Sequence, residues 1–311
     1  MKYLVALATA LFIAAPAQAQ RLYNQAELDA MLAPIALHPD GLVSQILIAA
    51  TYPEDVAAAA HWSRTNPSFR GEEAVQLVQY EPWDPAVKAL VAFPELLARM
   101  DESPQWLQDL GQAFAGQQAH VMDTVQQLRG RAHAAGHLTN SDQYAVYSQD
   151  EAIVVQPRTH IVYVRHYDPY VVYGPWWWPH YRPVYWRPWA VRPVYVSHTF
   201  FYTNFDWRHR HVRVVHRPAY VHHHHHRHVQ PGRWHYHRPA PVVRHVAPAP
   251  RAVHPAPTSP VVRPPVRINE QHRHIHPKQM PAANAFTHQQ HQKAHPQGKQ
   301  RAQGRERGHR G

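Results

Sequence analysis

Of the 29 histidines in this 311-residue chain, 24 lie after Pro157, and their spacing is what gives them chemistry. His222, His223, His224, His225 and His226 form an unbroken run with His228 just beyond it. His209-x-His211, His235-x-His237 and His272-x-His274-x-His276 alternate with other residues. In an extended backbone alternate side chains point to one side, so two imidazoles can converge on one ion. Imidazole suits Ni, Cu and Zn. His288, His291 and His295 would share one face if a helix formed there. The pattern predicts several loose, exchangeable metal sites that buffer transition metals, with no cofactor required. The plainer reading is a solubilising low-complexity tail, since any histidine run binds metals in vitro.

Charge supports a second chemistry. Residues 20–157 carry 7 basic and 17 acidic side chains, whereas residues 158–311 carry 24 basic and 4 acidic ones. The second half therefore stands at +20 before any imidazole is protonated, and mild acid raises that further because free histidine titrates near ~6.5. Such a segment attracts acidic envelope polymers, lipid headgroups or an acidic partner protein of the envelope. Arg182, Arg187 and Arg192 recur as Arg-Pro every five residues, and Arg208, Arg210 and Arg213 follow. Trp176, Trp177 and Trp178 stand among them and add stacking and cation–π capacity. Equally, these tryptophans could cover the apolar side of a helical domain. An export signal argues against nucleic acid as the partner.

Catalysis has less to stand on. The carboxylates come as adjacent pairs, Glu54-Asp55, Glu72-Glu73 and Asp101-Glu102. Neighbours in a helix do not face each other, and acids in a first turn complement its dipole. No H-E-x-x-H, G-x-S-x-G or phosphate-loop motif occurs. His38, His61 and His120 are isolated near expected helix ends, and Asp40 and Asp84 read as helix caps. An enzyme of unknown class in the helical domain is the third and least supported alternative.

The elements that must position these residues begin with an expected signal peptide over residues 1–19. Lys2, an apolar run over Tyr3–Ala15 and Ala17-Gln18-Ala19 supply its three parts, which predicts export to the periplasm. The chain has no cysteine, which excludes disulfides, thiolate metal sites and a lipid-modified Cys. A mainly α fold is expected, with a compact multi-helix domain over residues 20–150. Asn24 and Glu27 form a capping-box signature. Asp84-Pro85, Pro94-Glu95 and Ser103-Pro104 each open a helix, with Pro where a missing N–H costs nothing. From Pro104 the apolar stripe Trp106, Leu110, Phe114, Val121, Val125, Leu128 predicts one long helix ending at Gly136. Residues 151–207 should hold a β and aromatic annex, with strands at Ile153–Val155, His160–Val164 and Tyr170–Tyr173 and an extended Arg/Pro segment. Residues 208–311 read as a disordered His/Arg/Pro tail.

Ala36–Pro53, Pro82–Met100 and Trp106–Met122, followed by Val162-Tyr-Val, Tyr167-Asp-Pro and Val172-Tyr-Gly-Pro-Trp-Trp-Trp-Pro, resemble the domain of unknown function 3300 family of exported bacterial proteins. The resemblance covers roughly Leu28–Trp189. It implies an envelope location in a Gram-negative bacterium and transfers no activity. The His-rich tail departs from the family pattern, as does Gly41, where the family often has proline.

Overall fold

Proline punctuates the helices as the sequence predicts. A computed structural model describes residues 21–220 and 230–237. In it α3 (Pro53–Thr65), α5 (Pro85–Leu90), α6 (Pro94–Asp101) and α7 (Pro104–Gly116) all begin on proline, whose fixed φ suits the first helical position. Asp84 caps α5 by accepting from the Ala86 N–H at 2.8 Å, whereas Ser103 makes no cap bond to α7. The capping box of α1 (Gln25–Leu32) forms in full, with Asn24 and Glu27 bonding each other's backbone. The short α4 (Gly71–Leu77) completes the set before α5.

Helices α3, α5 and α7 pack directly on α2 (Asp40–Ala50), where ten of eleven residues are buried. A helix apolar on every side must sit inside a fold, and Leu42, Val43, Ile46, Leu47 and Ile48 do so fully. Each contributes about 1.5–3 kcal/mol of apolar burial. The faces predicted for α5 to α7, from Val87 through Leu110, close the same core.

The long helix expected from Pro104 is broken. α7 ends and α8 (Gln118–Ala134) begins at Gln117. The Gln117 side chain is drawn into a pair of bonds with the Tyr23 backbone, at 2.7 and 3.0 Å. Gly136 does stop α8, at φ +78.

The annex is built differently from the expectation. Strand β2 (Ala152–Pro157) pairs with β1 (Tyr144–Gln149), which the sequence reading missed. Strand β3 (Ile161–Tyr163) pairs with β4 (Pro193–Tyr195), at the end of the Arg/Pro segment. Tyr170–Tyr173 is no strand: Pro169–Val172 forms the short helix α9, because Asp168 accepts from the Tyr170 N–H and Pro169 sits at its first position. Regular structure also continues past the boundary expected at residue 208. β5 (Thr203–Asp206), β6 (His211–Val214) and β7 (Gly232–Arg233) form a three-stranded antiparallel sheet. The remainder of the expected tail, residues 221–229 and 238–311, lies outside the described residues.

One buried ion pair ties annex to helices. Arg129 of α8 and Asp40 of α2 meet at 2.6 Å with both side chains almost wholly buried. Asp40 therefore does not cap α2; it also accepts from the Val155 N–H of β2 and the Trp207 indole N–H. Beside this pair lies His38, fully enclosed. Burial, with the Arg129 charge behind it, pushes its imidazole down to about 3. The neutral ring is thus the folded form, while the unfolded chain takes up a proton below the ordinary value of ~6.5. Stability is fully present above ~6.5 and falls toward pH 3 by about 1.4 kcal/mol per pH unit from this group. Urea unfolding at pH 6.5 and pH 5 is expected to show that loss, and His38→Gln is expected to flatten it.

Candidate cationic cleft

The β5–β6–β7 sheet is held against the helices by its alternation. Phe205, Val212, Val214 and Trp234 are buried, whereas Arg213 and Arg233 are exposed. Ser44 of α2 and Thr203 of β5 share a buried hydroxyl bond at 2.8 Å. Trp207, just after β5, donates to Asp40, and the Arg129 guanidinium lies 5.3 Å from its ring. Trp234 donates its backbone N–H to Val212 and stacks on Phe114 of α7, with ring centres 5.1 Å apart. On the solvent side Arg213 pairs directly with Arg233 across β6 and β7. Neither has an ion-pair partner among the described residues, and like charges directly opposite destabilise a sheet.

Beside the sheet opens a cleft of about 570 Å³. His120, His209, Arg210, Arg233 and His235 line it, together with Trp234 and Tyr236, and no carboxylate does among the described residues. Its floor is the break between α7 and α8, Gly116 to Ala119. There α8 starts with no side-chain cap and no acid in its first turn. A helix start presents unpaired N–H groups and the positive end of the helix dipole. Arg210 reaches the cleft from the β5–β6 turn with φ 52, a left-handed conformation that costs a non-glycine residue about 1–2 kcal/mol. Its Nε stands 2.9 Å from an Asp123 carboxylate oxygen as an ion pair.

Toward the β5 edge of the sheet a smaller cleft of about 310 Å³ mixes signs, with Arg208 and Arg213 beside Asp150 and Asp206. Burial alone would raise the Asp206 carboxyl. The His209 N–H and imidazole, with His211 beyond, outweigh that and leave it below its usual value.

The structure therefore collects seven of the predicted residues, Arg208, His209, Arg210, His211, Arg213, His235 and His237, in and beside one small sheet. As metal ligands they do not converge. The His209 and His211 rings stand 6.0 Å apart around Asp206, yet no three ligand side chains form a metal-holding group among the described residues. His222–His226, His228, His272, His274 and His276 lie outside the described residues.

The other predicted contacts are engaged elsewhere. Trp177 and Trp178 donate their indole N–H groups to buried Asp29 at 2.8 and 2.6 Å, and Arg131 lies over Trp177 at 3.7 Å. Trp176 donates to the Tyr181 carbonyl. The triplet thus covers the helical body, the second of the two roles its sequence allowed. Arg187 and Arg192 approach Glu102 and Glu95 of that body at 3.5 and 3.8 Å, and Arg182 is exposed away from the cleft. At least one member of each carboxylate pair is likewise occupied: Asp55 accepts from the Asp84 N–H, Asp101 pairs with Arg64, and Glu72 accepts from the Ser197 N–H. Sequence reasoning passed over His120 as an isolated histidine and did not single out Arg233. Nothing local distinguishes either of them, because the cleft forms only when α8 and β7 meet.

No solved structure matches the chain. It is 39% identical over 211 residues to the uncharacterized protein YacH of Escherichia coli (strain K12), an alignment covering 57% of this chain and 34% of YacH. The chain thus spans about a third of that relative's length. The model of the family described as protein of unknown function DUF3300 matches residues 24–238, well past Trp189 and through β7, and the chain belongs to that family.

Proposed function

We propose that this is an exported, non-enzymatic envelope protein that binds acidic polymers through the cationic cleft beside the β5–β6–β7 sheet. The observation that carries this reading is the lining: two arginines and three histidines from three separate segments, without one carboxylate among the described residues. Residues 20–157 are net acidic, so the concentration of positive charge at this edge runs against the composition of the helices beneath it. Clefts lined by one sign of charge focus field and concentrate counter-ions of the opposite sign.

The test uses the full mature chain and a sulfated or phosphorylated polysaccharide, with binding followed by calorimetry. Affinity is expected to fall steeply between 50 and 200 mM salt, since exposed charges are screened beyond a Debye length of about 8–10 Å. Arg210→Gln with Arg233→Gln is expected to weaken binding tenfold or more while every residue after 238 stays in place. Unchanged affinity in the double variant would assign binding to the segment beyond 238 and refute the cleft.

A further inference from the structure

We infer that the cleft seats a phosphate monoester, borne on a sugar or a lipid headgroup, between Arg210 and Arg233. This deepens the polymer-binding reading and rests on it. Three features of the site distinguish phosphate from the carboxylates that acidic polymers also carry.

The first is charge. A carboxylate brings one negative charge, whereas a phosphate monoester brings about −1.5 to −2 at neutral pH. Two guanidinium groups line the cleft, Arg233 with no ion-pair partner among the described residues and Arg210 paired with Asp123, which is not in the lining, and the remaining excess of positive charge favours the larger anion.

The second is direction. A phosphate monoester presents three terminal oxygens, so it is satisfied best by donors arriving from several sides. Arg210 comes from the β5–β6 turn, Arg233 and His235 from β7 and the residues after it, and His120 from the first turn of α8. Asp123 lies 2.9 Å from the Nε of Arg210 as an ion pair, so its two terminal nitrogens form the fork that remains, and arginine forks fit phosphate in a bidentate manner. The start of α8 adds backbone N–H groups and dipole from the floor, an auxiliary to the side chains.

The third is the backbone at Arg210. A turn residue at φ 52 is a position that glycine fills without strain. From that position the Arg210 side chain lines the cleft. The cleft is also larger than one phosphate needs, and Tyr236 and Gln118 on its wall suit the sugar or headgroup that carries it.

The experiment measures binding of glucose 1-phosphate, glucuronate and inorganic phosphate to the full mature chain, with vesicles of phosphatidic acid (a monoester) and of phosphatidylglycerol (a diester) as separate arms. Glucose 1-phosphate is expected to bind at least tenfold tighter than glucuronate and to be displaced by inorganic phosphate. Arg210→Gln and Arg233→Gln are each expected to abolish that preference. Arg210→Gly suits the left-handed backbone, so it is expected to lose the same preference with a melting temperature no lower than that of the unaltered chain. Tighter binding to phosphatidic acid vesicles than to glucose 1-phosphate would place the monoester on a lipid, and the reverse would place it on a glycan. Equal affinity for glucuronate and glucose 1-phosphate, or for the two kinds of vesicle, would overturn the monoester while leaving polymer binding intact. If Arg210→Gln and Arg233→Gln also leave polysaccharide affinity unchanged, both readings fall together.

Discussion

Arg129→Met is expected to destabilise the chain by about 3–5 kcal/mol, the usual cost of removing one partner from a buried ion pair. Its guanidinium donates to the Ala36, His38 and Ile153 carbonyls as well as to Asp40, at 2.6 to 3.0 Å. Truncation therefore strands the Ala36 and His38 carbonyls, leaves the Ile153 carbonyl with only the Gln126 amide, and leaves the Asp40 carboxylate without a cation. The Val155 and Trp207 N–H groups would still face it, but neither carries charge. Asp40→Leu alone is expected to cost a similar amount for the mirror reason. The double variant is expected to lose much less than the sum, because no unpaired charge then remains inside. Urea unfolding of the four proteins closes the cycle, and strict additivity would show that the pair acts only by filling space.

The helical body was legible because its signals are local. Proline at a first helical turn, Asn24 with Glu27, and Asp84 before Pro85 act within four residues of themselves, and the structure keeps each of them. The break at Gln117 was not legible. The apolar stripe from Trp106 to Leu128 keeps helical spacing across it, and what ends α7 is a pair of bonds to Tyr23, 94 residues away. Tyr170–Tyr173 failed for another reason. Val and Tyr favour strands, but the Asp168 cap and Pro169 fix the backbone first.

The cleft was half legible. His209, Arg210 and His235 stood out by residue type, but composition assigned them to a tail. The alternation His211-Val212-Arg213-Val214 is the period of a half-buried strand, and averaging over a basic, proline-rich region hides four residues of it. Its partner β7 is two residues long and stays in place because Trp234, next in the chain, buries its ring on Phe114. That pairing is non-local, as is the approach of His120, so no window of sequence contains the site.

Gly111→Ala is expected to be the most damaging change of a single methyl group. A β-carbon at Gly111 would lie 2.0 Å from the Ala50 carbonyl oxygen and 2.6 Å from its carbon, where α7 crosses the end of α2. The obstacle is backbone, so no side chain can rotate away and one helix must move. Alanine gains about 1 kcal/mol over glycine in helix propensity, while overpacking a core typically costs about 1–3 kcal/mol and sometimes more. A β-carbon 2.0 Å from a backbone oxygen puts the steric cost at the top of that range, and a net loss of about 2 kcal/mol is expected. Because α7 carries Trp106, whose indole N–H reaches Met31, and Phe114, which supports Trp234, its displacement is also expected to loosen the cleft. Gly130→Ala on α8 supplies the opposite sign: nothing lies within 4 Å of a β-carbon there. That change is expected to stabilise by about 0.5–1 kcal/mol through propensity and a less mobile unfolded chain. Thermal unfolding of the two variants decides the matter, since equal shifts at the two glycines would mean that α2 and α7 do not approach as closely as described.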